Sequence, residues 1–215
     1  MLEKTNDILK LSLENHSELK PIYVDFINGP LAHRRKHGGG KTQLVAKAVG
    51  LHKHPAQVLD ISAGLASDAF ILACLGADVI ALERHPEVAA LVKDAIERAQ
   101  TKSWFRELKF QFIEINARDY LLQHEAPEVI YFDPMFPERS KAALVKKEMR
   151  ILREIVGGDD DADEIFRLAL TKAKKRVVVK RPKLAPHINN QEPNFSYEGK
   201  SSRFDIYLVE ICNNG

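Results

Sequence analysis

Short apolar runs alternate with amphipathic stretches along most of this chain. Apolar runs that predict buried strands lie at residues 57–61, 78–82, 109–115, 128–132 and 176–179. Helical periodicity follows most of these runs, at residues 67–75, 86–100, 141–155 and 163–172. Short strands that alternate with helices are typical of a parallel sheet covered on both faces. The pattern therefore predicts an α/β fold with a mostly parallel sheet.

The two ends of the chain depart from this alternation. Residues 22–26 alternate like a short strand, and a basic, glycine-rich loop then precedes a helix predicted at 42–49. Near the other end, a strand at 203–211 follows loop and turn residues, which predicts an antiparallel pair at one edge of the sheet. We therefore expect an N-terminal segment, residues 1–54, and a Rossmann-like domain, residues 55–215.

Composition narrows the class of protein. The 215 residues are 45% hydrophobic and 29% charged, which is typical of a globular chain that buries a real core. No apolar run reaches the roughly 20 residues of a membrane helix, and the first residues lack the order of a signal peptide. The two cysteines, Cys74 and Cys212, have no spacing typical of metal ligands. We therefore expect a cytoplasmic protein without a membrane segment or a metal.

The basic residues are concentrated in two regions, although the net charge is only +2. Residues 27–59 and 165–191 contain no acid and many lysines and arginines, which indicates a face that binds a polyanion such as RNA. Residues 33–41 lack the spacing of a phosphate-binding loop, so we exclude a nucleoside triphosphate site. The basic residues that we expect to contact RNA are Arg34, Arg35, Lys36, Lys41, Lys180 and Arg181.

Acidic residues close the first two predicted strands. Asp60 ends the first, and Glu83, 23 positions later, ends the second, near the offset at which an acid binds a ribose hydroxyl. Gly64 lets a ligand approach the backbone beside a helix N-terminus. The turn has only one of the three glycines of a dinucleotide fingerprint, which disfavours an NAD-dependent oxidoreductase. An adenosyl ligand with an ammonium group fits better, and either Asp60 or Asp68 could meet that ammonium.

The fourth strand ends in Asp133-Pro134-Met135-Phe136, the sharpest local signal in the chain. Asp133 can accept a hydrogen bond from an exocyclic amine and so orient the nitrogen. Pro134 fixes the backbone and removes a competing donor. Phe136 offers a face on which a flipped base can stack. Methyl transfer to a positioned amine needs alignment more than strong base catalysis, so this segment predicts the catalytic edge.

Blocks of the chain resemble one known family, the ribosomal RNA small-subunit methyltransferase J family. The segment Asp-Pro-Met-Phe-Pro at 133–137 is one block, and the resemblance extends from about residue 23 to residue 207. The matching blocks are residues 24–26, 32–36, 38–40, 46–50, 68–70, 82–84, 133–137, 144–150, 176–182 and 203–207.

The resemblance implies a Rossmann-like class I S-adenosylmethionine-dependent methyltransferase. Its implied reaction is methylation of the N2 amine of a guanosine in 16S ribosomal RNA. Because recognition of a single base usually needs the surrounding RNA, we expect the partner to be 16S ribosomal RNA within the 30S subunit, with naked RNA as the alternative. The resemblance also implies donor contacts at Ser67, Asp68, Glu83, Arg84, Asn116, Ala117 and Asp133.

Two other readings remain open from the residues themselves. The same acceptor, proline and aromatic edge would suit a methyltransferase of this fold that acts on DNA or on a protein glutamine. A non-catalytic RNA-binding protein belongs to a different class, and the acids at three strand ends disfavour it. Binding of S-adenosylmethionine, followed by turnover, separates these readings.

Overall fold

The computed structural model describes residues 1–13, 20–125, 127–135 and 154–209. The helix predicted at 141–155 and the aromatic Phe136 fall wholly or largely outside these ranges. The described strands are β1 Leu2–Thr5, β2 Ile8–Leu11, β3 Gln57–Asp60, β4 Asp78–Glu83, β5 Phe110–Glu114, β6 Val129–Phe132, β7 Arg176–Pro182, β8 Phe195–Glu198 and β9 Ser202–Leu208. The described α-helices are α1 Gly29–His37, α2 Leu44–Ala48, α3 Ser67–Cys74, α4 Pro86–Ala99, α5 Ser103–Arg106, α6 Ala117–Gln123 and α7 Ala162–Lys172.

Seven strands form one sheet in the order β5-β4-β3-β6-β7-β9-β8. The five strands β3, β4, β5, β6 and β7 are parallel to one another, and β9 runs antiparallel to both β7 and β8. The mostly parallel sheet with antiparallel edge strands confirms the predicted fold class. The chain builds outward from β3 in one direction and then returns to β6 on its other side. In such sheets, ligands bind outside the carboxyl ends of the strands at this switch point.

The antiparallel edge contains one strand more than predicted. β9 corresponds to the strand expected at 203–211, but the preceding turn-rich stretch also holds β8, in which Phe195 and Tyr197 alternate with polar residues. This alternating segment is only four residues long and is flanked by an asparagine and a glycine, so it is too short to predict a strand.

Hydrophobic side chains cover the sheet on both faces. Every residue of β6 is buried, and its alternate side chains enter two separate clusters. Tyr131 belongs to the cluster that contains Phe70 of α3, and Ile130 belongs to the one that contains Phe166 of α7. Burial on both faces explains why the parallel strands appear in the sequence as continuous apolar runs.

The strand predicted at residues 22–26 does not form. Alternate residues of this segment are buried as the pattern predicted, but Ile22 makes only an isolated bridge with Leu11. Asp25 then accepts a hydrogen bond from the backbone N–H of Ile27 at 2.9 Å, which turns the chain. Alternation therefore correctly indicated the buried face but not backbone pairing. Instead, β1 and β2 form an antiparallel hairpin that sequence analysis missed.

The basic, glycine-rich loop expected after residue 30 is largely a helix. α1 begins at Gly29, and Pro30 lies in its first turn, where its fixed φ suits a helix and its missing N–H costs little. Arg34, Arg35 and Lys36 lie in the last turn, where positive charge complements the helix dipole. The predicted helix at 42–49 is confirmed as α2. The cations of α1 are therefore presented on a helix rather than on a flexible loop.

The N-terminal residues share a hydrophobic cluster with α3 and α4. The rings of Phe26 and Phe70 stack with centroids 4.4 Å apart. Arg98 of α4 donates to the backbone oxygen of Val24 and to Asp94. The domain boundary expected at residue 54 remains a prediction from the sequence.

None of the described helices is long and apolar enough to cross a membrane.

Candidate active site

A cleft of about 550 Å³ lies at the carboxyl ends of β3, β4, β6 and β7. Every residue predicted to bind the donor lines it: Asp60, Gly64, Ser67, Asp68, Glu83, Arg84, Asn116, Ala117 and Asp133. Pro134 lines it too, whereas Phe136 lies outside the described residues. The fold thus brings together positions that are distributed over more than seventy residues of sequence.

One side of the cleft, the backbone-bonded half, consists of Asp60, Gly64 and Glu83. Glu83 Oε2 accepts a hydrogen bond from the Gly64 N–H at 2.8 Å, and its Oε1 accepts one from the His85 N–H at 2.7 Å. Asp60 Oδ1 accepts a hydrogen bond from the Ser62 N–H at 3.1 Å. Backbone donors therefore hold both carboxylates in fixed orientations.

The turn between β3 and α3 creates this arrangement. Gly64 has a φ of +54° and Ala66 a φ of +55°, both in the left-handed region that favours glycine. The Ala63 N–H donates to the Leu82 oxygen at 2.9 Å, so the turn is attached to the end of β4. α3 then begins at Ser67, with its first N–H groups beside the cleft.

The other side, the ion-paired half, consists of Asp68, Asp133 and Lys180. Lys180 Nζ donates to Asp133 Oδ2 at 2.7 Å and to Asp68 Oδ2 at 2.9 Å. Asp68 also accepts hydrogen bonds from Arg34 of α1 at 2.8 Å and from the Tyr131 hydroxyl at 2.8 Å. Side chains from α1, α3, β6 and β7 therefore meet in one charged network.

Burial and charge act differently in the two halves. Burial raises the pKa of Asp60 well above its usual value and also raises the pKa of Glu83, although backbone N–H groups lower both. Burial also acts to raise the pKa of Asp68, but Lys180 and Arg34 outweigh it and hold that pKa at about 2. Asp68 is therefore ionised throughout the physiological range.

A third set of contacts connects the two halves. Arg84, directly after Glu83, pairs with Asp159 at 2.6 Å and with Asp161 at 2.8 Å. Asp159 Oδ2 in turn accepts a hydrogen bond from the Met135 N–H at 2.6 Å. The end of β4 is thus joined through one carboxylate to the segment that follows Asp133. Sequence analysis did not identify this acidic run as part of the site.

The amino-acid sequence is similar to those of known methyltransferases. The family model described as "Putative SAM-dependent methyltransferase" matches residues 1–209. A ribosomal RNA small subunit methyltransferase J from Coxiella burnetii is 55% identical over 192 residues, covering 88% of this chain and 76% of its own. The corresponding protein from Tolumonas auensis is 50% identical over 208 residues, covering 94% and 83%.

Solved structures agree as well. A SAM-dependent methyltransferase from Neisseria gonorrhoeae has a TM-score of 0.75 at 35% identity, covering 99% of this chain and 84% of its own. The 16S rRNA N2 G1207 methyltransferase of T. thermophilus shares the fold alone, with a TM-score of 0.53 at 17% identity, covering 78% and 42%.

The chain belongs to the ribosomal RNA small subunit methyltransferase J family. The predicted family, fold and methyl donor are therefore confirmed. Membership makes this methyltransferase an enzyme that depends on S-adenosylmethionine and acts on small-subunit ribosomal RNA.

The cations predicted to bind RNA occupy different environments in the methyltransferase. Lys36 and Lys41 are exposed. Arg35 lies with its guanidinium carbon 3.8 Å from the Trp104 ring centroid, a cation–π contact. Arg34 and Lys180 instead direct their charges to carboxylates that line the cleft. The six predicted cations therefore do not form one uniform surface.

The remaining predicted residues have local partners. Arg181 is buried and donates to the Pro186 oxygen at 2.6 Å. Asn116 caps α6, since its side chain accepts a hydrogen bond from the Arg118 N–H at 2.8 Å. Ala117 is the first residue of that helix. Among the described residues, no group of three or more His, Cys, Asp or Glu side chains could hold a metal ion.

Tyr131 and Ser62 are two further polar residues of the cleft that sequence analysis missed. Tyr131 lies two positions before Asp133 on the same side of β6, and a tyrosine in an otherwise apolar strand is the signal that could have revealed it. Ser62 Oγ accepts a hydrogen bond from the Asp133 N–H at 2.7 Å. Its position in a small-residue turn gave no indication of this contact across the cleft.

Proposed function

We propose that this methyltransferase modifies the exocyclic N2 amine of a guanosine in 16S ribosomal RNA, within the small subunit. The observation that carries the proposal is the location of Asp133. It lies at the carboxyl end of β6, in the same cleft as Asp60 and Glu83. A hydrogen-bond acceptor beside an adenosyl-binding edge is what an aromatic amine needs for alignment with a methyl donor.

The backbone-bonded half would hold the methyl donor. Glu83 is mostly buried and already oriented by two N–H groups, and a carboxylate retains lone pairs for ribose hydroxyls. Asp60 suits the donor ammonium better than Asp68, because Asp68 already accepts hydrogen bonds from three side chains. The N-terminus of α3 at Ser67 suits the donor carboxylate. Arg84, Asn116 and Ala117 would border the adenosyl group.

The ion-paired half would receive the target base. Bound S-adenosylmethionine would supply a methyl group from a positively charged sulfur, and the amine nitrogen that receives it must lose one proton. Asp133 would accept one N–H of the amine and orient the nitrogen. Pro134 keeps the backbone rigid beside it. Phe136 is proposed, from the sequence alone, to stack on the flipped base.

RNA would approach across the basic surface beside the cleft. Lys36 and Lys41 are exposed near the C-terminal end of α1, where lysines can neutralise phosphates. An isolated guanine offers little to distinguish it from others, so the surrounding RNA shape would contribute to recognition. The assembled 30S particle is therefore the proposed substrate rather than a free nucleoside.

The test is methyl incorporation from labelled S-adenosylmethionine into 30S particles that lack their native modifications. Digestion and nucleoside analysis should yield N2-methylguanosine. Naked 16S RNA, DNA and glutamine-containing peptides serve as competing substrates. Label on another nucleoside, on DNA or on protein would contradict the proposal, as would an absence of label on any RNA when the donor binds.

A further inference from the structure

Lys180 of β7 lies inside the cleft although it belongs to a basic stretch of the sequence. Its ammonium lies 2.7 Å from Asp133 Oδ2 and 2.9 Å from Asp68 Oδ2. Only 28% of its side chain is exposed. The strand that carries it is parallel to β6, and Val179 pairs with Phe132, so Lys180 and Asp133 are adjacent in register. The pairing of β6 with β7 therefore places Lys180 beside Asp133.

The environment keeps Lys180 charged. Burial acts to lower the pKa of Lys180, but Asp133 and Asp68 outweigh it and raise that pKa above its usual value. An ammonium has three hydrogen-bond donors, and two of them are used on these carboxylates. Asp68 is further anchored by Arg34 and Tyr131. Lys180 therefore connects Asp133 to a rigid, charged anchor.

Two hydrogen bonds hold Asp133 in place. Its N–H donates to Ser62 Oγ at 2.7 Å, and its Oδ2 accepts from Lys180. Fixing one oxygen of a carboxylate also fixes the rotation of the other. Asp133 is the more exposed partner of the pair, with 38% of its side chain accessible, so a base can still reach it.

We propose that Lys180 is a positioning residue for methyl transfer: its ammonium fixes the rotation of the Asp133 carboxylate, so that the other oxygen accepts the target amine. This inference rests on the proposed function, in which Asp133 is the amine acceptor. It replaces the phosphate contact that the sequence suggested for Lys180. The reassignment follows because the ammonium is directed to two carboxylates that line the cleft.

The charges around Asp133 determine the pH dependence. The charged and titratable groups that face it are Asp60 of β3, Asp68 of α3, Tyr131 of β6, Lys180 of β7 and Asp159. Burial raises the pKa of Asp133, Lys180 lowers it, and Asp68 and Asp159 raise it. Removing Lys180 would take away the influence that lowers this pKa. The ionised form would then be lost at a higher pH than in the wild-type protein.

The test compares three variants of the full chain: Lys180→Met, Lys180→Arg and the control Lys183→Met. Lys183 is a more exposed lysine paired with Glu198 and outside the cleft. For Lys180→Met we expect kcat on 30S particles to fall by about 100-fold. The acid limb of its pH–rate profile should move to higher pH, because Asp133 protonates more easily. Lys180→Arg should restore part of kcat, and Lys183→Met should resemble wild type.

Two measurements do not depend on turnover. Calorimetric binding of S-adenosylhomocysteine should be close to wild type in Lys180→Met, because the backbone-bonded half is intact. NMR titration of isotope-labelled aspartate should show a higher pKa for Asp133 in this variant, with the resonance assigned from Asp133→Asn. If Lys180→Met does not fold, Asp133 is titrated in Lys180→Arg and in wild type instead. Because arginine retains the positive charge, the pKa of Asp133 in Lys180→Arg should stay close to its wild-type value.

Three results would overturn the inference. An unchanged kcat with weaker RNA affinity and a smaller salt slope would return Lys180 to phosphate binding. A lower kcat with an unchanged pH profile and an unchanged Asp133 pKa would indicate a purely structural role. Equal loss in Lys183→Met would show a nonspecific charge effect. Failure of the proposed function is distinguishable, because wild type would then give no N2-methylguanosine while the Asp133 titration still responded to Lys180.

Discussion

The two halves of the cleft hold their carboxylates by different means. In the backbone-bonded half, Glu83 and Asp60 accept hydrogen bonds from N–H groups, two of which lie two residues away in sequence. In the ion-paired half, Lys180 reaches Asp68 and Asp133 across 112 and 47 positions. The first half needs two turns and the pairing of the neighbouring strands β3 and β4, whereas the second exists only after β6 and β7 have joined the sheet. The two halves should therefore respond differently to mutation and to pH.

The largest effect should come from the acceptor carboxylate. Asp133→Ala should lower kcat by about 100-fold or more, because the amine loses its alignment. Binding of S-adenosylhomocysteine should stay close to wild type. Methyl transfer to 30S particles and calorimetry measure the two quantities, with the exposed Asp119→Ala as a control. An equal loss of donor affinity would show that the two halves are not functionally separate.

Glu83→Gln should give the opposite pattern. The variant loses charge-assisted hydrogen bonds, each worth about 1.5–3 kcal/mol, so the Kd for the donor should rise by roughly 10- to 100-fold. At saturating donor, kcat should recover substantially. Calorimetry on Glu83→Gln and on the exposed control Glu97→Gln provides the measurement. A donor Kd unchanged from wild type would remove Glu83 from the donor site.

The halves should also differ in how pH affects stability. The pKa of Asp68 is about 2 in the folded protein, below its usual value, so its ion pairs stabilise the fold above pH 4 and are lost as pH falls toward 2. Asp68→Asn should therefore lower the free energy of unfolding by about 2 kcal/mol at pH 7 and by less at acid pH.

Asp60 provides the matched comparison for Asp68. Its folded pKa is raised, so the cost of its ionisation grows as pH rises through and above its usual value. Asp60→Asn should leave stability at pH 7 unchanged or higher. Urea unfolding of both variants at neutral and acid pH measures these differences. If the two substitutions changed the free energy of unfolding by the same amount at each pH, the distinction between the halves would be refuted.

The smallest effect concerns cations outside the cleft. Replacing Lys36 and Lys41 together with alanine should weaken RNA binding and reduce the slope of log affinity against log salt by about two. Their removal should not shift the pH–rate profile, since neither is among the groups that face Asp133. Filter binding across a salt series measures the slope. An unchanged slope would exclude these lysines from the RNA-binding surface.

The same contrast explains what the sequence could predict. Asp60, Gly64 and Glu83 were identified because a strand end and a turn are local features. The partners of Asp68 were not, because Arg34, Tyr131 and Lys180 come from three other elements whose contacts depend on strand order. Arg34 and Lys180 were assigned to RNA on charge alone. Charge distribution indicates a polyanion partner, but it does not reveal which cations neutralise internal carboxylates.

Local helix and strand predictions had the same limits. The parallel strands and α4 were predicted closely because burial and amphipathic periodicity are strong over their length. Residues 22–26 bury alternate side chains without pairing as a strand. α1 was mistaken for a loop because glycines after its end dominated the pattern. Packing against α3 and the proline in its first turn make it helical.

The order of strands has a consequence for synthesis of the chain. β3 lies between β4 and β6, and Val58 pairs with Val129, which is 71 positions later. At translation rates of about 5–20 residues per second, one edge of β3 remains open for several seconds after β3 itself emerges. An open apolar edge can pair with the wrong chain. The pace of translation therefore sets the interval during which the central strand of this methyltransferase lacks a neighbour on one side.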